Sequence, residues 1–131
     1  MKQDYKFLKE ILITFEEHSK HLIDTNELIE KLKVDYNDPI KWDNFLGHML
    51  ILKDNNCIDC SEPELGITIG SRGRCSFTNQ YFRLTARGYE FIDILKDKGI
   101  FNKIKDFSVA TAIEIGKAAL INIVSGTVSN H

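Results

Sequence analysis

The sequence lacks an uninterrupted apolar run long enough to span a membrane. Its first segment, MKQDYKFLKEIL, interleaves charged and apolar residues and so lacks the apolar core of a signal peptide. We therefore expect a cytoplasmic protein. The chain also has no excess of positive charge, because its net charge is -2 and its pI is about 6.1. Any attraction to nucleic acid or to an anionic membrane must then come from a local patch.

Cysteine is scarce, and three cysteines cannot form a complete disulfide framework. This odd number suits a reducing compartment. Cys57-Ile-Asp-Cys60 has the spacing of metal ligands, and Cys75 with a histidine could complete a zinc site. However, the sequence contains no second C-x-x-C motif and no H-x-x-x-H pair. We interpret the cysteines as small packed residues at a helix-to-strand junction, and we expect neither a metal nor another cofactor.

The chain is 131 residues long, which is enough for one compact domain with its own apolar core. Helical spacing of apolar residues predicts a first helix over residues 4–17. A second helix begins at Asp24, which can cap the helix with Glu27 three residues later, as in a variant capping box. The stripe that these two helices should bury consists of Leu8, Ile11, Leu12, Phe15, Leu28, Ile29 and Leu32.

A third helix is predicted from Pro39 to about residue 55, because Asp38 can cap it and proline is favoured at the first helical position. The spacing of the apolar residues gives this helix two different faces. The apolar face, which we expect in the core, carries Trp42, Phe45, Leu46, Met49 and Leu50. The opposite face, which we expect in solvent, carries Lys41, Asn44 and His48.

From Ile58 onward the apolar period shifts towards two, which predicts two or three short strands. Between them, residues 70–74 form a segment with glycine and positive charge that suits the tip of a hairpin. A fourth helix should follow with Thr85 as its cap, so that Gly88 falls at its third position. Glycine there predicts a close contact between the helix and the sheet.

The segment Leu84-Thr-Ala-Arg-Gly-Tyr-Glu-Phe91 resembles the L-T-x-x-G-x-x-F/L segment that follows the wing in many bacterial winged-helix proteins. More narrowly, the chain resembles small winged-helix proteins of bacteria and their phages, in which a short basic stretch and an apolar helix come next. The resemblance implies a mainly helical α+β fold: a winged helix-turn-helix over residues 1–98, with a two- or three-stranded wing, and a C-terminal helical extension over residues 99–131. It implies no activity and no catalytic residue.

A winged helix suggests binding of duplex DNA by analogy, with the third helix in the major groove. The distribution of charge favours the wing as the DNA contact instead. Residues 34–62, which include the third helix, contain six carboxylates and only two lysines, Lys41 and Lys53, so this region would repel phosphate. The only arginines in the chain are Arg72, Arg74, Arg83 and Arg87. We therefore expect Arg72 and Arg74 on phosphates or in the minor groove, with Arg83 as a further residue that binds nucleic acid. The side chains expected at base edges are Lys41, Asn44 and His48.

The alternative is a protein interaction module, in which the wing arginines pair with an acidic partner. An enzyme is not expected, because GITIGSRG over residues 66–73 lacks the lysine of a phosphate loop and no nucleophile motif is present.

The C-terminal segment 109–124 is apolar around most of a helix, apart from a narrow stripe of polar residues. Ala112 and Gly116 would let a second helix approach closely, which predicts an interface with a second copy or with a partner protein. The residues of that interface would be Ala112, Ile113, Gly116, Leu120 and Ile123. In the alternative, the helix folds back and completes the core of its own chain.

Overall fold

The structure is a computed structural model that describes residues 1–62, 64–69 and 75–129. Within these residues the chain forms a mainly helical α+β fold with six helices. The helices are α1 Tyr5–Glu17, α2 Thr25–Leu32, α3 Pro39–Asp54, α4 Ala86–Lys96, α5 Lys98–Ile104 and α6 Val109–Ser129. The strands are β1 Ile23–Asp24, β2 Ile58–Cys60, β3 Ile67–Ile69, β4 Cys75–Phe77 and β5 Tyr81–Leu84.

Helices α2, α3 and α4 begin where the sequence predicts, because each predicted cap accepts hydrogen bonds from the first turn. The Asp24 carboxylate accepts from the N–H of Glu27 at 2.8 Å. Asp38 likewise accepts from the N–H of Ile40 at 3.0 Å, with Pro39 at the first helical position. These bonds satisfy amide groups that have no partner inside the helix.

The sheet joins three strands that are far apart in sequence. Its order is β1-β5-β2, and both pairings are antiparallel. Phe82 lies at its centre, opposite Ile23 on one side and Cys60 on the other. The strands β3 and β4 form a separate two-stranded hairpin. Strand β1 was not predicted, since a two-residue strand has no period to detect.

A single apolar core is built from α1, α2, α3, the sheet and all three C-terminal helices. Phe45, Phe82 and Phe91 are among its largest fully buried side chains. Ile104 and Ile113 lie in the same core and are also fully buried. The core thus continues across position 98, because α5 and the first part of α6 pack against the preceding helices.

Asp97 separates α4 from α5, where the sequence suggested a helix followed by a basic stretch. Its backbone is extended, with φ of -82° and ψ of 115°, so it ends α4. Its carboxylate then accepts from the N–H of Ile100 at 3.0 Å and caps α5. This short helix turns the chain so that α6 returns to pack against α4.

Candidate nucleic-acid interface

Helix α3 places its aromatic stripe in the core, as predicted. Trp42 and Phe45 are buried, and the Trp42 ring also packs against Phe77 of the hairpin, with ring centres 5.1 Å apart. Lys41 is exposed and Asn44 is half-buried on the outer side. The tryptophan is therefore a packing residue that cannot stack with a nucleic-acid base.

His48 was expected at the edge of a base, and that expectation is wrong because its side chain is fully buried. Its Nε2 accepts a hydrogen bond from the N–H of Asp4 at 2.9 Å, so this nitrogen carries no proton. Its Nδ1 lies 2.7 Å from the carbonyl of Asn44 and must donate to it. Both ring nitrogens are thereby occupied by backbone groups, which leaves no free polar atom of His48 for DNA.

Arg72 and Arg74, the predicted wing cations, lie outside the described residues. Arg83 lies within them, on β5, with about half of its side chain exposed. Its guanidinium donates to the Asp59 carboxylate at 3.2 Å, and Lys53 lies 3.6 Å from the same carboxylate. Arg83 thus keeps access to solvent, but part of its charge is already neutralised on the surface.

Asp59 is the residue of this cluster that sequence reasoning missed. Burial would raise its pKa, but the N–H of Cys60 and the charges of Lys53 and Arg83 outweigh that effect and hold the pKa below its usual range. Asp59 and Arg83 are directly opposite in the register of β2 and β5. Opposite charges at such a position stabilise a strand pair. Only the strand register could have revealed this pair, because the two residues lie 24 positions apart in sequence.

Arg87 joins elements within the chain. Its Nε donates to the carbonyl of Asn55 at 3.0 Å, just beyond the end of α3. Its Nη1 lies 3.7 Å from the carboxylate of Glu114 on α6. With these partners and a half-buried side chain, Arg87 fixes α4 between two neighbours and adds little free positive charge to the surface.

The expected interface on α6 is largely covered by the chain itself. Ala112 and Ile113 are fully buried, and Gly116 is also buried. A Cβ atom at Gly116 would lie 2.5 Å from the Cγ2 of Ile94 on α4. The close helix approach predicted from the small residues therefore occurs within one chain, and these three residues cannot contact a second copy.

The part of α6 from residue 120 to residue 123 is more open. Leu120 is half-buried, whereas the side chain of Ile123 is 49% exposed and that of its neighbour Ile121 is 62% exposed. Only Leu120 and Ile123 of the predicted interface thus retain surface.

The cysteines that the sequence places at metal-ligand spacing differ in environment. Cys57 is fully buried, and burial raises the pKa of its thiol to about 11 although Arg87 partly opposes this. Cys60 is half-buried on the edge strand β2. In the part of the chain that the structure describes, no group of three or more histidine, cysteine, aspartate or glutamate residues is arranged to hold a metal ion.

Among the described helices, α6 included, none combines the length and the apolar character needed to cross a membrane. Comparisons of the chain with protein-family models, with curated proteins and with solved structures find no match.

Proposed function

We propose that the chain is a winged-helix protein without enzymatic activity that binds duplex DNA through its wing. The order of elements supports this fold: three helices, an antiparallel hairpin and a returning strand. In addition, β1 between α1 and α2 pairs with β5, the central strand of the three-stranded sheet. In this arrangement α3 corresponds to the recognition helix, and the strands β3 and β4 correspond to the wing.

The observation that carries the DNA-binding proposal is the exposed guanidinium of Arg83 on β5, the strand that returns from the hairpin. The sequence between β3 and β4 contains Arg72 and Arg74. Arginine binds phosphate oxygens through a planar fork of donors, so three arginines within a short stretch of sequence suit the DNA backbone. Phosphate contacts position a protein on DNA but carry no sequence information directly.

Helix α3 supports only a minor contribution to base recognition. With His48 buried, the polar side chains left for base edges are the exposed Lys41 and the half-buried Asn44. Asp43 is exposed beside them and repels phosphate. The proposed binding is therefore weak, strongly dependent on salt and nearly independent of base sequence.

Fluorescence anisotropy with a labelled duplex, at about 50 and about 200 mM salt, tests this proposal. The double variant Arg72→Ala/Arg74→Ala should bind at least about tenfold more weakly than the wild type and should show a shallower salt dependence. A matched control is Lys20→Ala/Lys33→Ala, which removes the same charge from two exposed lysines away from the wing. Equal affinity of the wing variant and the wild type would reject the wing as the DNA contact.

A second candidate function is a protein interaction module. The observation that favours it is the apolar surface at the start of α3, where Ile40 is 82% exposed and Tyr36 is 62% exposed. Exposed carboxylates at Asp35 and Asp43 flank these side chains. An apolar patch with an acidic rim suits a basic protein partner better than DNA. Absence of duplex binding at low salt, together with folded protein, would favour this function.

A further inference from the structure

A second basic surface lies on another part of the molecule, between the start of α1 and α5. Two adjoining cavities of about 430 and 380 Å³ form a groove there, and both are lined by Lys6 and Phe101. We call this surface the lysine groove. Its basic side chains are Lys2, Lys6, Lys9, Lys98 and Lys105.

The lysine groove concentrates positive charge that is not neutralised by neighbouring carboxylates. Within the described residues, none of its five lysines makes an ion pair, whereas Lys53, Lys96 and Lys117 each pair with a carboxylate. Asp4 is the one carboxylate among the described residues that line the groove, and its Oδ1 already accepts the N–H groups of Lys6 and Phe7. A protein with a net charge of -2 thus has a local excess of unpaired lysines along this groove.

The lysines are spread along the groove. Lys9 and Lys98 line the first cavity, whereas Lys2 and Lys105 line the second. The chain from Lys2 to Lys9 spans about 10 Å at the rise of a helix, and more where it is not helical before α1. Ammonium groups spread over this length suit a chain of several anionic groups better than one isolated anion.

Phe101 gives the groove an aromatic surface at the point shared by the two cavities. Its ring is half-buried and packs edge-on against Tyr5, with ring centres 6.4 Å apart and planes at 80°. This contact holds the ring in one orientation. Leu95 and Asn102 complete the wall beside it with apolar surface and an amide group.

We propose that the lysine groove binds single-stranded nucleic acid, with phosphates on the lysines and a base against Phe101. Proteins that bind single strands combine a basic groove along the backbone with aromatic rings on which bases stack. An acidic peptide would use the same lysines but has no base to place on the ring. The lysine groove shares no residue with the wing. The binding of single strands can therefore be tested independently of the proposed binding of duplex DNA.

Fluorescence anisotropy with a labelled oligothymidylate of about 15 nucleotides, titrated at several salt concentrations, tests this proposal. The variant Lys6→Gln/Lys98→Gln should bind at least about tenfold more weakly. Its slope of log K against log salt should be lower by about 1.4, since each phosphate contact on a single strand contributes about 0.7. The variant Phe101→Leu keeps the charge, so it should lose affinity by on the order of tenfold with an unchanged salt slope.

Two controls distinguish binding in the lysine groove from unspecific attraction and from binding at the wing. Lys20→Gln/Lys33→Gln removes two exposed lysines outside the groove and should leave oligothymidylate binding unchanged. Arg72→Ala/Arg74→Ala should also leave it unchanged, whatever its effect on duplex DNA. Thermal unfolding of each variant establishes that it is folded.

The proposal is overturned if the control lysine variant loses as much affinity as the groove variant, because binding would then be unspecific attraction. It is also overturned if Phe101→Leu binds like the wild type. Finally, labelled polyglutamate could bind in a manner that depends on Lys6 and Lys98 while oligothymidylate does not bind. That result would assign the groove to an acidic protein partner.

Discussion

Gly88 at the start of α4 lies directly against the backbone carbonyl of Cys57. A Cβ atom at this position would be 2.2 Å from that oxygen, which is far inside the contact distance of a real side chain. The same carbonyl accepts the N–H of Thr85 at 3.1 Å, and the hydroxyl of Thr85 accepts the N–H of Gly88 at 3.0 Å. The glycine therefore lets the helix begin at the edge of the sheet.

We predict that Gly88→Ala destabilises the protein although alanine favours helices. The propensity gain is about 1 kcal/mol, but the backbone of Cys57 cannot move away as a flexible side chain could. The net loss in the free energy of unfolding should be about 1 to 3 kcal/mol, the usual cost of overpacking. Urea unfolding followed by circular dichroism measures it.

Gly99→Ala is the matched control, because a Cβ atom there would meet only the Asp97 carboxylate at 3.4 Å. Position 99 is exposed within α5, so this variant should be as stable as the wild type or more stable by up to about 1 kcal/mol. A Gly88→Ala protein with the same unfolding midpoint as Gly99→Ala would contradict the close contact.

A second prediction concerns the removal of α6. A chain that ends at Asp106 should lose about 3 to 6 kcal/mol of stability, because it no longer buries Val109 and Ile113 against the core. Sedimentation velocity combined with urea unfolding tests this. The truncated chain could instead keep the wild-type unfolding midpoint and lose only a dimer that the full chain forms. That result would show that α6 is an interface between two copies of the chain.

Alkaline pH should destabilise the protein through Cys57. Burial raises the pKa of this thiol from about 9 to about 11, so the folded chain keeps a proton that the unfolded chain loses between these values. The free energy of unfolding should then fall as the pH rises above about 9, by at most about 1.4 kcal/mol per pH unit. Below that pH both states keep the proton, and the thiol contributes no pH dependence.

Urea unfolding at about pH 8, 9 and 10 measures this slope for the wild type and for Cys57→Ala. The variant lacks the thiol, so its stability should fall less between the two higher pH values even if a small cavity lowers it at every pH. The pKa of Tyr5 is also raised by burial, to about 12, and its phenol accounts for a further loss at still higher pH in both proteins. Equal slopes in the two proteins would refute the assignment to Cys57.

Asp59→Asn should strengthen the proposed binding of duplex DNA. The substitution removes a negative charge and releases Arg83 and Lys53 from the carboxylate that lies 3.2 and 3.6 Å away. We expect a several-fold gain in affinity at low salt that disappears at high salt. Arg83→Ala in the same anisotropy assay should have the opposite effect. A loss of affinity in Asp59→Asn would show that Arg83 does not face the DNA.

The amino-acid sequence by itself determined the starts of α2, α3 and α4 and most of the apolar residues that face the core. Asp24, Asp38 and Thr85 each cap a helix from within three positions of the amide that they bind. Such contacts depend only on local spacing, so composition and period were enough to predict them. The apolar stripe of α3 was predicted for the same reason.

Tertiary structure alone decided which polar and small residues are available for function. The buried ring of His48 accepts a hydrogen bond from the N–H of Asp4, which lies 44 positions away in sequence. Gly116 is covered by the side chain of Ile94. The strand pairing of Ile23 with Phe82 and the lysine groove also join residues distant in sequence. No local period encodes such contacts, because they form only when the chain closes long loops to bury its apolar surface.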